Sequence, residues 1–413
     1  MDLLRFITAG SVDDGKSTLI GRLLYDSKNI LVDQLEQLEK QTKNKEAGVI
    51  DLALLTDGLR AEREQGITID VAYRYFSTPK RKFIIADAPG HVQYTRNMIT
   101  GASNANLIII LVDARQGVVE QTRRHSIIAS LLRIPHVVVA INKMDLVDFS
   151  RDVFNNIVID YATVAKQLGL NDVTYIPISA LAGDNIVDKS EKMTWFEGKP
   201  LLEFLEEIEI DNDVNHTDSR FQVQLVIRPQ TEELHDYRGY AGKVISGIYK
   251  KGDKIKVLPS GNESVISKLE VAGVETDEVF APQSVVIQLK DDIDISRGDS
   301  IVKAGENVQV TNEIETLLCW MDEKPLQAGN KYYLQHNSRL VRAVVRKVEY
   351  KLDVNTLLQQ PVEGSVKLNE VVKATIKTAS PLAFDAYDKI GANGSAILID
   401  ETSNSTVAAV LFQ

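Results

Sequence analysis

The sequence has one cysteine and no long apolar run. Cys319, beside Trp320, is the sole cysteine among 413 residues. This excludes an internal disulfide and a cysteine-based zinc site, and it predicts a small buried apolar side chain. No apolar run approaches the roughly 18 residues that a membrane helix needs, and the chain begins without a signal-peptide pattern. We therefore expect a soluble, cytoplasmic protein with no membrane contact.

Basic residues are fewer than acidic residues in this sequence. Lys and Arg number 47 against 58 Asp and Glu, which gives a formal net charge of −11. An acidic balance argues against nonspecific nucleic-acid binding as the main activity, and we expect no nucleic-acid partner. The composition is 44% hydrophobic and 25% charged, which excludes a disordered or fibrous chain.

The first half of the chain alternates between short β-branched runs and longer amphipathic stretches. The predicted strands are residues 6–9, 71–76, 83–87, 107–113, 137–142 and 175–178, and the predicted helices are residues 17–25, 92–99, 119–132 and 154–168. This alternation is typical of an α/β domain with a mostly parallel sheet. A polar insertion at 28–65 interrupts the alternation of strands and helices. We interpret it as a solvent-exposed helical segment or a partner-binding segment.

The second half is dominated by strands with turn signals between them. Its spacing favours small antiparallel β-barrels, and a break near 305–311 divides it into two pieces of barrel size. The polar segment after residue 210 is the best linker candidate. We predict a P-loop domain at 1–210, a linker at 211–220, and two antiparallel β-barrel domains at 221–308 and 309–413.

The strongest local signal is a phosphate-binding P-loop that follows a strand and opens a helix. It comprises Gly10, Ser11, Val12, Asp13, Asp14, Gly15, Lys16, Ser17 and Thr18. The glycines let successive backbone N–H groups point at a β-phosphate, with the helix N-terminus adding partial positive charge. We expect Lys16 to reach the β- and γ-phosphates and the Ser17 hydroxyl to ligate Mg²⁺.

Two further motifs concern the base. Asn142, Lys143 and Asp145 follow a predicted strand, and a carboxylate at Asp145 can accept both the N1–H and the exocyclic amine of guanine. Adenine offers neither donor, so this motif favours GTP over ATP. We expect Asn142 to tie the base loop to the P-loop and the Lys143 stem to pack along the base. The last motif, Ser179, Ala180 and Leu181, can offer backbone N–H groups to the guanine carbonyl.

The remaining motifs concern the γ-phosphate and its hydrolysis. Asp87 ends a predicted strand, where a carboxylate can hold Mg²⁺ through water, and Gly90 can give its N–H to the γ-phosphate. His91 is the candidate that positions the attacking water. Thr68 precedes a strand, where its hydroxyl can ligate Mg²⁺ while its N–H binds the γ-phosphate, as in a switch loop. We assign catalytic roles to His91, Lys16 and Thr68.

These five motifs, followed by two barrels, resemble the translation-factor class of GTPases over essentially the whole chain. Within that class the sequence is similar to the large GTP-binding subunits of bacterial assimilatory sulfate adenylyltransferases. The resemblance rests on GSVDDGKS at 10–17, QYTRNM at 93–98, QTRRHS at 121–126, RGYAG at 238–242, VLPSG at 257–261, IDISRGD at 293–299 and TVAA at 406–409. Ala88 and Val92 depart from it, since relatives commonly have Thr and Glu there.

The resemblance implies GTP and Mg²⁺ as cofactors and a separate small catalytic subunit as partner. That subunit would transfer the adenylyl group of ATP to sulfate, giving adenosine 5′-phosphosulfate and pyrophosphate, while this chain hydrolyses GTP to drive the step. The alternative is a translation elongation factor that delivers aminoacyl-tRNA. Residues 311–413 hold 11 Lys and Arg against 12 Asp and Glu, so the last predicted barrel has no basic excess for tRNA. A third possibility, a scaffold without hydrolysis, predicts the loss of Lys16, Thr68 or His91, and all three are present.

Overall fold

The structure is a computed structural model that describes residues 2–27, 71–88, 95–210, 215–229, 237–353, 356 and 358–413. The chain separates into two compact units, Met1–Ile210 and Asp211–Gln413. Each unit has its own hydrophobic core. None of the helices in these ranges is long and apolar enough to cross a bilayer.

The first unit is built on a six-stranded sheet with strand order β2-β3-β1-β4-β5-β6. Only β2 runs antiparallel to its neighbour, and every other pairing is parallel. The strands are β1 Leu3–Ala9, β2 Ala72–Ser77, β3 Lys82–Asp87, β4 Leu107–Asp113, β5 His136–Asn142 and β6 Val173–Pro177. Every residue of β4 is buried, as a central parallel strand with both faces covered requires. The predicted α/β domain with a mostly parallel sheet is confirmed.

The described helices of this unit are α1 Lys16–Asp26, α2 Thr95–Ala102, α3 Glu120–Leu131, α4 Arg151–Leu168 and α5 Leu201–Glu207. Helix α4 begins where the Ser150 side chain accepts a hydrogen bond from the Val153 N–H, and it ends at Gly169 in the left-handed conformation, as capping rules predict. Helix α2 extends to Ala102, beyond the predicted end at residue 99. The predicted start of that helix and the insertion at 28–65 lie outside the described residues.

The topology brings the predicted motifs to one edge of the sheet. The P-loop follows β1, Asp87 ends β3, Asn142 ends β5 and Ser179 comes shortly after β6. Carboxyl ends of parallel strands meet at one edge of an open sheet, and the crevice there is the usual ligand site. Within the described part of the first unit, this edge is therefore the natural place for a ligand.

The second unit contains two closed antiparallel barrels of six strands each. In the first, the order β10-β15-β7-β8-β14-β11 is closed by pairing of β10 with β11. In the second, the order β17-β21-β22-β16-β20-β18 is closed by pairing of β17 with β18. The strands of the first barrel and its short additions are β7 Arg220–Ile227, β8 Gly239–Ser246, β9 Ile248–Lys250, β10 Lys254–Leu258, β11 Glu263–Val271, β12 Val274–Thr276, β13 Glu278–Phe280, β14 Ser284–Leu289 and β15 Ser300–Lys303. Those of the second are β16 Gln309–Trp320, β17 Lys331–His336, β18 Arg339–Leu352, β19 Gln359–Gln360, β20 Val371–Phe384, β21 Ser395–Asp400 and β22 Thr406–Phe412.

The two barrels of this unit meet through a buried polar cluster centred on Arg220. The Arg220 guanidinium is fully buried and donates to both carboxylate oxygens of Asp385, with Nε to Oδ2 at 2.7 Å and the second contact at 2.9 Å. It also forms an ion pair with Glu306 and donates to the Ser219 carbonyl at 2.9 Å. Asn393 donates to Asp385 at 2.8 Å. A buried guanidinium held by two carboxylates fixes one barrel to the other.

Candidate nucleotide-binding site

The P-loop turns sharply into α1 because two of its residues adopt the left-handed backbone conformation. Gly15 has φ of 94° and Asp13 has φ of 68°. A Cβ at Gly15 would lie 2.5 Å from the Asn142 side-chain nitrogen, so only glycine fits between the two loops. Gly10, Ser11, Val12, Ser17 and Thr18 complete the loop and the first turn of α1 in the predicted positions.

The Lys16 side chain turns back and contacts the backbone of the P-loop. Its Nζ donates to the Gly10 carbonyl at 2.9 Å and to the Ser11 carbonyl at 2.9 Å, and the residue is 7% exposed. Burial lowers the pKa of Lys16, and the carboxylates of Asp87 and Asp14 oppose that shift. A buried ammonium held by two carbonyls is ready to exchange them for phosphate oxygens.

The Asp14 side chain forms a hydrogen bond within the P-loop. Its carboxylate accepts a hydrogen bond from the Ser11 N–H at 2.5 Å and is buried. Burial raises the pKa of Asp14, while the Ser11 N–H and the Lys16 ammonium act in the opposite direction. The side chain therefore stabilises the loop conformation in which Lys16 is held.

Asn142 joins the phosphate loop to the base loop. Its side-chain nitrogen donates to the Asp14 carbonyl at 2.7 Å, and its side-chain oxygen accepts from the Ala180 N–H at 2.9 Å. The residue is 2% exposed. Both halves of one buried amide are thus engaged, and the geometry places Asn142 where the sequence predicted it.

The base loop presents Asp145 beside Ser179. The Ser179 hydroxyl donates to the Asp145 carboxylate at 2.6 Å, and Asp145 is half-buried. Arg22 of α1 fixes the neighbouring loop by donating to the Ala180 carbonyl at 3.3 Å and to the Leu181 carbonyl at 2.5 Å. A carboxylate oriented by a hydroxyl in this way can accept two N–H groups of a base edge.

The backbone donors of the 179–181 triplet differ from expectation. The Ser179 N–H bonds the Asp184 carbonyl at 3.1 Å, and the Ala180 N–H bonds Asn142 at 2.9 Å. Among the described residues, none accepts a hydrogen bond from the Leu181 N–H. The Leu181 N–H is therefore the donor of the triplet available to a base carbonyl.

Asp113 is a member of the site that the sequence did not reveal. It ends β4, is 3% exposed, and lies 3.0 Å from Lys143 Nζ. Arg115 donates to it through its backbone N–H at 2.9 Å and through its guanidinium at 2.6 Å. Although burial acts to raise it, these donors hold the pKa of Asp113 well below its usual value. Asp113 thereby fixes the Lys143 side chain beside the base loop.

The structure describes some, but not all, of the residues that the sequence predicted to contact Mg²⁺ and the γ-phosphate. Asp87 is buried and accepts from the Thr8 hydroxyl at 3.4 Å, and its carboxylate acts on the Lys16 ammonium. Ser17, in the first turn of α1, is half-buried. Thr68, Gly90 and His91 lie outside the described residues. Within the described ranges, no three His, Cys, Asp or Glu side chains cluster as a metal site.

Comparison with known proteins assigns a family to this architecture. The profile of the elongation factor Tu GTP binding domain matches residues 1–211, and that of the GTP-eEF1A C-terminal domain-like family matches residues 313–412. A crystal structure of the S. cerevisiae Ski7 GTPase-like domain, bound to GDP and inorganic phosphate, aligns with a TM-score of 0.53. It is 16% identical, covering 100% of this chain and 97% of that one, and the likeness shows the fold alone.

Relatives of higher identity cover nearly the whole chain. Sulfate adenylyltransferase subunit 1 of Bacteroides fragilis (strain YCH46) is 54% identical over 98% of this chain and 85% of its own length. The bifunctional enzyme CysN/CysC of Mycobacterium tuberculosis (strain ATCC 25618 / H37Rv) is 52% identical over 98% of this chain, which spans 66% of that protein. The chain therefore belongs to the sulfate adenylyltransferase subunit 1 family, whose first domain is a GTP-binding domain of the elongation factor Tu type.

Proposed function

We propose that this chain is the GTP-hydrolysing subunit of a sulfate adenylyltransferase in sulfate assimilation. In this role it drives the formation of adenosine 5′-phosphosulfate and pyrophosphate from ATP and sulfate on a separate small subunit. The observation that carries the proposal is the Asn142 bridge, which joins the Asp14 carbonyl of the P-loop to the Ala180 N–H beside the base loop. The family name, with its subunit number, supports a partner subunit.

The nucleotide roles follow from the donors and acceptors at the sheet edge. Lys16 would bind the β- and γ-phosphates together with the backbone N–H groups of residues 10–18. Asp145 would accept the two guanine donors, and Leu181 would give its N–H to the guanine carbonyl. Lys143, held by Asp113 at 3.0 Å, would lie along the base.

The residues present fit a Mg²⁺ ion that arrives with the nucleotide. The chain offers a buried carboxylate at Asp87 and a hydroxyl at Ser17, both beside the lysine that binds phosphate. Mg²⁺ prefers few protein oxygens and completes its shell with phosphate and water, so the lack of a three-residue cluster in the described part of the chain suits it. When bound, the ion would neutralise charge that develops on the phosphates.

Hydrolysis and coupling are assigned to segments on either side of β2 and β3. We propose that His91 positions the attacking water and that Thr68 senses the γ-phosphate. A bound nucleotide shifts the partner's equilibrium only through contacts that differ between the GTP and GDP states. Departure of the γ-phosphate would release the Thr68 and His91 segments and so change contacts with the small subunit.

The elongation-factor alternative is the weaker hypothesis. Relatives that align over nearly the full chain carry the sulfate adenylyltransferase subunit 1 name, at 52% to 54% identity. The elongation-factor profiles match single domains, residues 1–211 and residues 313–412, and a shared domain fold does not select a partner by itself.

One reconstitution tests both the base site and the function. The chain is combined with the small subunit from the same organism, and adenosine 5′-phosphosulfate formation from ATP and sulfate is followed with GTP or xanthosine triphosphate. Asp145→Asn is expected to lower GTP-driven turnover at limiting GTP by at least about 100-fold. This corresponds to the loss of two charge-assisted hydrogen bonds at about 1.5–3 kcal/mol each. Xanthosine triphosphate restores turnover, because the amide can donate to the extra carbonyl.

Asp148→Asn is the matched control, since Asp148 is exposed and lies three residues further along the same loop. It should leave the GTP dependence unchanged. Wild-type chain that stimulates no adenosine 5′-phosphosulfate formation would refute the proposed function. An Asp145→Asn variant with unaltered use of GTP would remove Asp145 from the base site.

A further inference from the structure

One outer face of the second barrel carries exposed cations on adjacent strands. We call Arg342, Arg346 and Lys347 of β18, with Lys331 of β17, the basic strip. All four residues are exposed, and the Arg342 side chain is 74% exposed. Residues 311–413 hold nearly equal numbers of acidic and basic residues, so the fold has concentrated on this face cations that the sequence intermixes with acids.

Strand register explains why these side chains share a face. Arg342 pairs with Tyr333 and Val344 pairs with Lys331 across β17 and β18, and paired residues point to the same side of a sheet. A register shift between Val345 and Lys347 makes Arg346 the extra residue of a bulge. A bulge can turn a neighbouring side chain outward, and Arg346 and Lys347 are both exposed as a result.

The cations of the strip form few ion pairs, although Asp400 and Glu401 line a cavity together with Lys331. Arg342 lies 3.7 Å from Glu401, whereas Arg346, Lys347 and Lys331 form no ion pair with any residue that the structure describes. Several other lysines of this unit, although not all of them, are paired. Lys250 meets Glu278 at 2.7 Å, Lys251 meets Glu275 at 2.9 Å, and Lys373 meets Glu315 at 2.7 Å. Unpaired cations on an acidic protein mark a surface that can attract an acidic partner.

Apolar groups lie between the cations. Leu340 is 55% exposed, and Val344 and Tyr333 are half-buried on the same face. Arginine, tyrosine and aliphatic side chains mixed in this way are typical of protein interfaces. Contacts to nucleic-acid backbone are made mainly by cationic and polar groups, so the interleaved apolar side chains favour a protein.

We propose that the basic strip is a docking surface for an acidic face of the small catalytic subunit. This inference rests on the proposed function, which supplies the partner. Docking here would hold the partner on the barrel while the nucleotide-dependent segments of the first unit change their contacts with it. Electrostatic complementarity of this kind accelerates association and fixes register.

The test compares binding of the small subunit to the wild-type chain and to the triple variant Arg342→Glu, Arg346→Glu, Lys347→Glu by calorimetry or interferometry. At about 50 mM salt we expect the variant to bind at least about 10-fold more weakly. The wild-type affinity should fall between about 50 and 300 mM salt, and that of the variant should not, because screening acts on the attraction that the variant lacks. A glutamine version of the triple variant should show an intermediate loss.

The matched control is Lys243→Glu, Lys254→Glu, Lys290→Glu in the first barrel. These lysines are exposed, and none forms an ion pair with a described residue, so net charge changes equally while the strip stays intact. Both triple variants should keep the wild-type thermal unfolding transition of the second unit, which shows that the barrels are folded.

Equal losses in the strip and control variants would overturn the docking assignment, because they would report net charge alone. Unchanged binding by the strip variant would also overturn it and would leave the proposed function standing. Binding of an RNA oligonucleotide that the strip variant abolishes, with affinity for the small subunit unchanged, would assign the strip to nucleic acid instead. A wild-type chain that fails to bind the small subunit would refute the docking surface and the proposed partner together.

Discussion

Replacing Arg220 by methionine should strongly destabilise the two-barrel unit. The guanidinium is fully buried and holds Asp385 through contacts of 2.7 and 2.9 Å, with Glu306 and the Ser219 carbonyl as further partners. Methionine fills much of the space but leaves a buried carboxylate without its cation. Breaking a buried pair from one side costs about 3–5 kcal/mol. For a unit of this size that corresponds to a fall in Tm of about 6–20 °C.

Scanning calorimetry with and without GTP measures this loss. GTP stabilises only the unit that binds it, so the transition that GTP does not move belongs to the barrels. Trp320, 1% exposed in the second barrel, gives a fluorescence signal for the same transition. The Arg220 variant should lower this transition and leave the GTP-sensitive one in place.

The control is a second ion pair within the same unit. Lys389 meets Asp218 at 2.9 Å, but their side chains are 47% and 27% exposed. Exposed pairs contribute about 0–1 kcal/mol, so Lys389→Met should lower the barrel transition by no more than a few degrees. An Arg220 variant that loses no more stability than the Lys389 variant would refute the reasoning, since burial would then add nothing to the pair.

Two further predictions concern buried groups outside the nucleotide contacts. Burial, with help from the nearby cations Lys16 and Arg124, lowers the pKa of His125 to about 3. The folded state therefore leaves it neutral while the unfolded state protonates it below about pH 6.5. Stability is lost as pH falls, by about 2 kcal/mol between pH 6.5 and 5. Urea unfolding of the first unit at both pH values should show that slope in the wild-type chain and a smaller one in His125→Gln. A slope unchanged in His125→Gln would contradict the assignment. Burial also raises the pKa of Cys319 to about 12, so Ellman's reagent should label it only in urea, and rapid labelling of the native chain would contradict its burial.

The sequence predicted the fold class well because the strands of the first unit are short, apolar and regularly spaced. Residues 107–113 form a strand with the predicted bounds, since a fully buried parallel strand reads as a continuous apolar run. Helix α5, Leu201–Glu207, was not predicted. This helix begins directly after Pro200 and has seven residues, which are too few to show the periodicity of an amphipathic helix.

Contacts between loops were predictable where the residues belong to a local motif. Asn142 takes the predicted bridging position because its loop and the P-loop both follow strands of one parallel sheet. Asp113 was missed, since a lone Asp at a strand end has no distinctive neighbours and its partner Lys143 comes 30 positions later. Arg220 was missed for the same reason. Its partners Glu306 and Asp385 lie 86 and 165 positions away, and no local pattern signals that a cation will be buried between them.

Closure of the barrels restricts how the second unit can be recognised. Each barrel is closed by pairing of the two strands at the ends of its spatial order, β10 with β11 and β17 with β18, so the described barrel walls present no free backbone edge. A partner cannot extend these walls by adding a strand. Apart from the short additions such as β12 and β19, recognition has to be carried by side chains. Partner choice on this unit can therefore be altered by surface substitutions that leave the backbone hydrogen bonds intact.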